Sequence, residues 1–269
     1  MSLPQPTLEY VVSADGTRIG FERLGAGPPL VVVHGSTADR SRWAPVAPRL
    51  AEHRTLLLVD RRGRGASGDN PGEGYRLGLE ARDVLAVIEA AGGPVALLGH
   101  SYGALCSLEA LLLTDQVERA LLYEPPISTP GLPALETRVI ERMEQLLAEG
   151  GREAALETML IDGAGVDQPT LDIMRRAPAW AARVQAMPTT IREARQVEQY
   201  VLDPSRFAAL TTPVRLLVGS ESVPFLKAAT AAARAALPHS DVVELAGQAH
   251  IGMDTAPLLF LDEVLRFLD

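Results

Sequence analysis

Cysteine is nearly absent from these 269 residues. Cys106 stands alone, which excludes an internal disulfide framework and a cysteine-based zinc site. Lysine is reduced to Lys227, while arginine, alanine, glycine and proline abound; we read this as compositional bias of the source genome. No run of 18 apolar residues occurs, so no membrane-spanning helix is predicted. Residues 1–10 lack a basic stretch followed by an apolar one, so no leader is expected and the cytoplasm is the default location. Positive charge is in deficit: 25 Lys+Arg against 34 Asp+Glu give −9. Such a chain repels phosphate backbones, which argues against nucleic acid as a partner. No GxxxxGK[ST], no GxGxxG after a strand and no HExxH is present, so neither a nucleotide cofactor nor a catalytic metal is implied.

The composition that remains is that of an ordinary globular protein, 47% hydrophobic and 22% charged, which argues against disorder. Length alone allows two domains or one large α/β domain. Strand-like and helix-like segments alternate, which predicts a mostly parallel sheet flanked by helices. Residues 8–12 and 17–24, joined at Asp15-Gly16, read as a hairpin. The short apolar runs 30–33, 55–59 and 95–98 read as strands buried on both faces. Residues 43–51, 79–91 and 104–113 read as helices, and 119–123 as a strand ended by Pro125-Pro126. Residues 127–206 break the alternation, with helical patterns at 135–148, 153–161, 171–176 and 191–201 and no convincing strand. Alternation resumes with strands at 214–218 and 241–245 and helices at 225–237 and 257–268. The expectation is therefore one sheet domain, residues 1–126 and 207–269, interrupted by an all-helical insertion at 127–206. Ligands bind such sheets at the C-terminal ends of the strands, so the insertion should roof the site as a cap.

The sharpest motif is Gly99-His100-Ser101-Tyr102-Gly103, placed directly between a buried strand and a helix. A tight strand-to-helix turn strains the serine backbone, exposes its hydroxyl at a helix N-terminus, and needs glycines where strand and helix approach. With this motif, His34-Gly35-Ser36 after the first buried strand, and Asp60-Arg61-Arg62-Gly63-Arg64-Gly65 after the next, the chain resembles the α/β-hydrolase superfamily over nearly its whole length. The resemblance implies a cofactor-independent serine hydrolase acting on a small molecule, with Ser101 as nucleophile. It implies oxyanion stabilisation by the backbone N–H groups of Ser36 and Tyr102. The family's order of nucleophile, acid and base points to His250, just after the last strand, as the base. His34 is expected to brace its loop, and His100 to point away from the nucleophile. His53 and His239 are read as loop or helix-end residues.

The acid has two candidates. The resemblance places it in a Gly-x-x-Asp turn after the strand following the insertion, but that turn reads Gly219-Ser220-Glu221-Ser222. Glu221 is one residue out of register. Glu124 ends the strand beside the nucleophile strand and is followed by two prolines that stiffen the chain. Trp43, Met159 and Trp180 are candidate pocket residues, although packing of the insertion's helices accounts for Met159 and Trp180 as well. Cys106 reads as a packed core residue, Asp254 as the cap of the last helix, and Arg61, Arg62 and Arg64 as turn and surface charges. The target bond is an ester, lactone or thioester of a small, partly apolar substrate. Carbon–carbon hydrolysis and acyl transfer use the same residues, and a ligand-binding receptor could retain the fold. The sequence leaves the oligomeric state open.

Overall fold

The computed structural model describes residues 5–70 and 74–269; Met1–Pro4, where the stretch read as leaderless begins, lie outside them. Eight strands form one sheet in the order β1-β2-β4-β3-β5-β6-β7-β8. They are β1 (Thr7–Val12), β2 (Arg18–Leu24), β3 (Pro29–Val33), β4 (Thr55–Val59), β5 (Val95–His100), β6 (Val117–Tyr123), β7 (Val214–Gly219) and β8 (Ser240–Leu245). The hairpin β1–β2 is antiparallel, as is its junction with β4, and every other pairing is parallel.

The apolar runs of β3, β4 and β5 follow from their position. Each is buried on both faces, so β-branched and leucine side chains alternate between two cores. Val31, Val33, Leu57 and Leu97 face one core, packed by α2 (Leu77–Ala90), α3 (Tyr102–Ala110) and α9 (Pro224–Ala236). Leu30, Val32, Leu56 and Leu98 face the other, packed by α1 (Ala47–Leu50) and α11 (Pro257–Leu268), which follows the short α10 (Gly252–Thr255). Gly92, at φ +77°, stops α2.

Between β6 and β7 the chain is helical: α4 (Thr137–Ala148), α5 (Arg152–Thr158), a π-helical turn (Met159–Gly163), α6 (Gln168–Arg175), α7 (Trp180–Gln185) and α8 (Met187–Gln199). These helices share a third hydrophobic cluster that includes Val139, Met143, Leu156, Trp180 and Ile191. Val197 on α8 instead joins the core of the sheet, so that helix ties the insertion down.

Two helix readings shift, and one short helix, α7, has no counterpart in the sequence reading. Residues 43–51 split into a 3₁₀ turn, Arg40–Trp43, and the short α1, because Pro45 and Pro48 remove donors that one continuous helix needs. α8 starts four residues earlier than its periodicity suggests, since Pro188 in the first turn needs no N–H. α7 is too short, between Pro178 and Pro188, to carry a periodic signal. Asp254 does not cap α11; it lies in α10 and pairs with Arg42 at 2.6 Å, while Ala256 holds the capping position.

Candidate active site

Ser101 sits between β5 and α3 with φ 54° and ψ −127°, a conformation costing a non-glycine residue about 1–3 kcal/mol. The surroundings over-determine it. The Ser101 N–H donates to the Tyr123 carbonyl at 2.8 Å. A Cβ on Gly99 would fall 2.6 Å from Ala104 Cα, and one on Gly103 would overlap the carbonyls of Val33 and His34. Both glycines of the motif are therefore required by close approach, as the turn predicts. Gly35 presses equally close, since a Cβ there would lie 2.8 Å from Ser101 Cβ. This brings the Ser36 loop against the turn. The backbone N–H groups of Ser36 and Tyr102 make no hydrogen bond within the described residues.

Glu124 is fully buried at the end of β6, also with positive φ (49°). Its Oε2 lies 2.5 Å from His250 Nδ1. Its Oε1 accepts from the Gly219 N–H at 2.8 Å and from the Ser222 hydroxyl. Four facts thus converge: burial, strain, and a partner for each oxygen. Glu221, by contrast, is exposed and, among the described residues, accepts only from the neighbouring Ser220 hydroxyl at 3.2 Å. Ser222 stands where the resemblance expects an acid. Its short side chain donates to the carboxylate that arrives from the adjacent strand. Tyr123 fixes the histidine loop, donating its hydroxyl to the Ala249 carbonyl and accepting from the Gly252 N–H at 3.1 Å. No hydrogen bond joins the Ser101 hydroxyl to the His250 ring among the described residues; in unliganded sites such bonds are commonly loose.

His100 does not leave the site as its sequence position suggests. Its ring lies 4.6 Å from that of His250, and its Nε2 is 2.8 Å from the His250 carbonyl. A carbonyl only accepts, so Nε2 carries the proton. Burial, then the nearby His250 and Arg42, hold His100 well below the usual histidine range. His34 is equally buried and neutral, held down by burial and then by Arg61 and Arg64. It braces its loop as expected, through Gly35 O at 2.8 Å and the Arg61 N–H at 3.2 Å.

These two histidines make stability depend on pH. Both have folded values below the ordinary 6.5. Above that pH neither state is charged and nothing is gained or lost. Below it the unfolded chain binds protons that the folded chain refuses, so stability falls as pH falls. The loss is roughly 1.4 kcal/mol per pH unit for each group. Thermal denaturation should show a falling Tm between about pH 7 and pH 5.5, where histidine is the side chain that changes charge, and a shallower fall in His100→Gln. Equal slopes in the two proteins would show that His100 is not held neutral.

Arg61, Arg62 and Arg64 are not surface charges; all three are buried. Arg61 reaches Glu80 at 2.9 and 3.1 Å, Glu193 at 2.5 Å and the Gly35 carbonyl at 3.2 Å. Arg62 grips Asp83 with two bonds of 2.7 and 2.8 Å. Arg64 Nη1 lies 2.7 Å from Glu193 Oε1. The second Glu193 oxygen accepts from the Ser36 hydroxyl at 2.7 Å. Burial pushes the Glu193 carboxyl up, but Arg61 and Arg64 outweigh it and leave it below its ordinary value. The Tyr75 hydroxyl bonds Glu80 and the Tyr102 hydroxyl, over whose ring the Arg61 guanidinium stacks at 4.7 Å. A signal for this network did exist in the sequence: Glu80 and Asp83 lie on the same helical face as the apolar Val84 and Val87.

Trp43 is wholly buried, packed on Phe260 and set edge-on to His100, so it supports the site from below rather than lining an open pocket. Trp180 and Met159 pack with the insertion's core, and Trp180 Nε1 donates to Glu153 at 2.7 Å. Cys106 is buried, which pushes its thiol up and makes it a poor nucleophile. Among the described residues, no group of three His, Cys, Asp or Glu is placed to hold a metal ion, and no helix is long and apolar enough to cross a membrane.

Residues 30–263 match the model of the alpha/beta hydrolase family. The chain is 30% identical to a 2-(acetamidomethylene)succinate hydrolase of Mesorhizobium japonicum, over 93% of this chain and 91% of that one. Among solved structures, an alpha/beta hydrolase of Sphaerobacter thermophilus DSM 20745 is 33% identical with a TM-score of 0.86, covering 97% of this chain and all of that one. An esterase of Rhodococcus sp. ECU1013 is 25% identical with a TM-score of 0.78, covering 97% and 98%.

Proposed function

The chain belongs to the alpha/beta hydrolase family, and from that premise we propose that it is a serine hydrolase with Ser101 as nucleophile, His250 as base and Glu124 as acid. The observation that carries this reading is the buried Glu124 carboxylate, 2.5 Å from His250 Nδ1, beside the strained Ser101 turn.

Glu124 accepts the Nδ1–H, which leaves Nε2 free to take the Ser101 proton. Ser101 Oγ attacks the substrate carbonyl, and the N–H groups of Ser36 and Tyr102 receive the oxyanion. The imidazolium then protonates the leaving group as the carbonyl re-forms. Water, giving its proton to His250, repeats the attack on the acyl-enzyme and frees Ser101. The substrate class is a small ester, lactone or thioester, in keeping with a relative that is an esterase. The helices between β6 and β7 act as its cap.

A fluorophosphonate probe tests the proposal directly. One phosphonyl group should be found by mass spectrometry on Ser101 and on no other serine, and His250→Ala should slow its attachment by at least about 10²-fold, the usual contribution of a general base. An unlabelled Ser101 in folded protein would instead favour the receptor reading.

A further inference from the structure

Arg183 on α7 is a half-buried arginine with no hydrogen bond and no ion pair to its side chain among the described residues. It lines a cavity of about 240 Å³ together with Thr37, Asp39, Arg42 and Asp254. Arg42 on its wall is close enough to His100, the neighbour of Ser101, to help hold that ring's pKa down. Thr37 follows the oxyanion residue Ser36, and Asp254 is in the short helix after His250. The other ionic groups on its wall are already engaged, Asp39 by hydrogen bonds and Arg42 and Asp254 by an ion pair. Asp39 accepts from the N–H of Ser41 at 2.8 Å and from its hydroxyl at 2.5 Å, capping the 3₁₀ turn. Arg42 pairs with Asp254 at 2.6 Å. Of the two arginines on the wall, Arg183 is the one whose donors meet no partner among the described residues.

A guanidinium carries five N–H donors in a planar fork, and removing it from water without a partner is costly. Burial lowers the Arg183 pKa, the neighbouring Arg42 lowers it further, and Asp254 opposes without pairing. Both effects mark a cation placed against another cation with its donors unmet. A carboxylate is the group whose geometry matches that fork with two parallel bonds.

We propose that the cavity between the Ser36–Arg42 loop and α7 is an anion subsite, in which Arg183 holds a carboxylate carried by the substrate. This rests on the serine-hydrolase reading for the reaction, and it narrows the substrate to an acyl compound bearing a negative charge near the scissile carbonyl. Thr37, Arg42 and Asp254 shape the cavity, and the Arg42–Asp254 pair leaves Arg183 as its recognition element.

The test measures binding, so it does not depend on turnover. Ser101→Ala protein is titrated by calorimetry with monomethyl glutarate and with dimethyl glutarate, which differ by one charge. The monoester should bind at least about tenfold more tightly, as expected for one charge-assisted bidentate contact. Adding Arg183→Gln should reduce that preference to less than about threefold, and Arg183→Lys should keep an intermediate preference. A monoester that binds no better than the diester overturns the proposal, as does a preference that survives Arg183→Gln. Fluorophosphonate labelling reports on Ser101 separately. A lost preference with labelling intact therefore removes the subsite alone, and lost labelling with the preference intact removes the nucleophile alone.

Discussion

Glu124→Gln should lower kcat by up to about 10⁴-fold without unfolding the protein. The amide is nearly isosteric with the carboxylate and still accepts from Gly219 and Ser222 through one oxygen. What it loses is the negative charge 2.5 Å from His250 Nδ1. The imidazole then has no partner that enforces the Nδ1–H tautomer, and the imidazolium formed during attack is no longer stabilised. Because the carboxylate is fully buried, solvent cannot substitute for it. Glu221→Gln provides the contrast: an exposed loop charge should stay within about tenfold of wild type. Steady-state kinetics on a chromogenic ester, with near-ultraviolet circular dichroism as the folding check, decide the matter. The opposite ranking of the two variants would move the acid to Glu221.

Arg61→Met should cost about 3–5 kcal/mol of stability, because it leaves Glu80 and Glu193 buried without their shared partner. For a chain of this size that corresponds to a fall in Tm of roughly 6–20 °C. The size of the loss reflects the carboxylates left behind rather than the worth of the pair itself. Adding Glu80→Gln to Arg61→Met should therefore restore part of the Tm, as a neutral amide is cheaper to bury, while Glu193 keeps its pairing with Arg64. A fall below about 3 °C in the single variant would show that Arg64 and the tyrosines compensate for the missing guanidinium.

The sequence disclosed most where one residue type answers to one local constraint. β3, β4 and β5 are legible because burial on both faces turns alternation into continuous apolar runs. The Ser101 turn is legible because close approach leaves no alternative to glycine at 99 and 103. Glu124 was one of two readings for a different reason: its partners, Gly219, Ser222 and His250, lie 95 to 126 positions away. The arginines of the Asp60–Gly65 turn were misread on the same account. Charge in a glycine-rich turn resembles a solvated surface until Glu193, 132 residues on, is folded against it. Trp43 and Asp254 failed more simply, since neither a burial depth nor a choice between capping and pairing is written in a residue's immediate neighbours.

Glu193 limits how this enzyme can be rebuilt. It is one carboxylate on α8, yet it neutralises two guanidiniums from the turn after β4 and holds the hydroxyl of Ser36. An engineer who transplants the helices between β6 and β7 from another hydrolase, seeking new selectivity, transplants that counter-charge or its absence. A graft lacking an acid at this place would leave Arg64 without its counter-charge and Arg61 with Glu80 alone, and would release the Ser36 loop beside Ser101. The insertion is thus not an interchangeable lid. A chimera library over this scaffold should hold position 193 fixed while every other residue of α8 is allowed to vary.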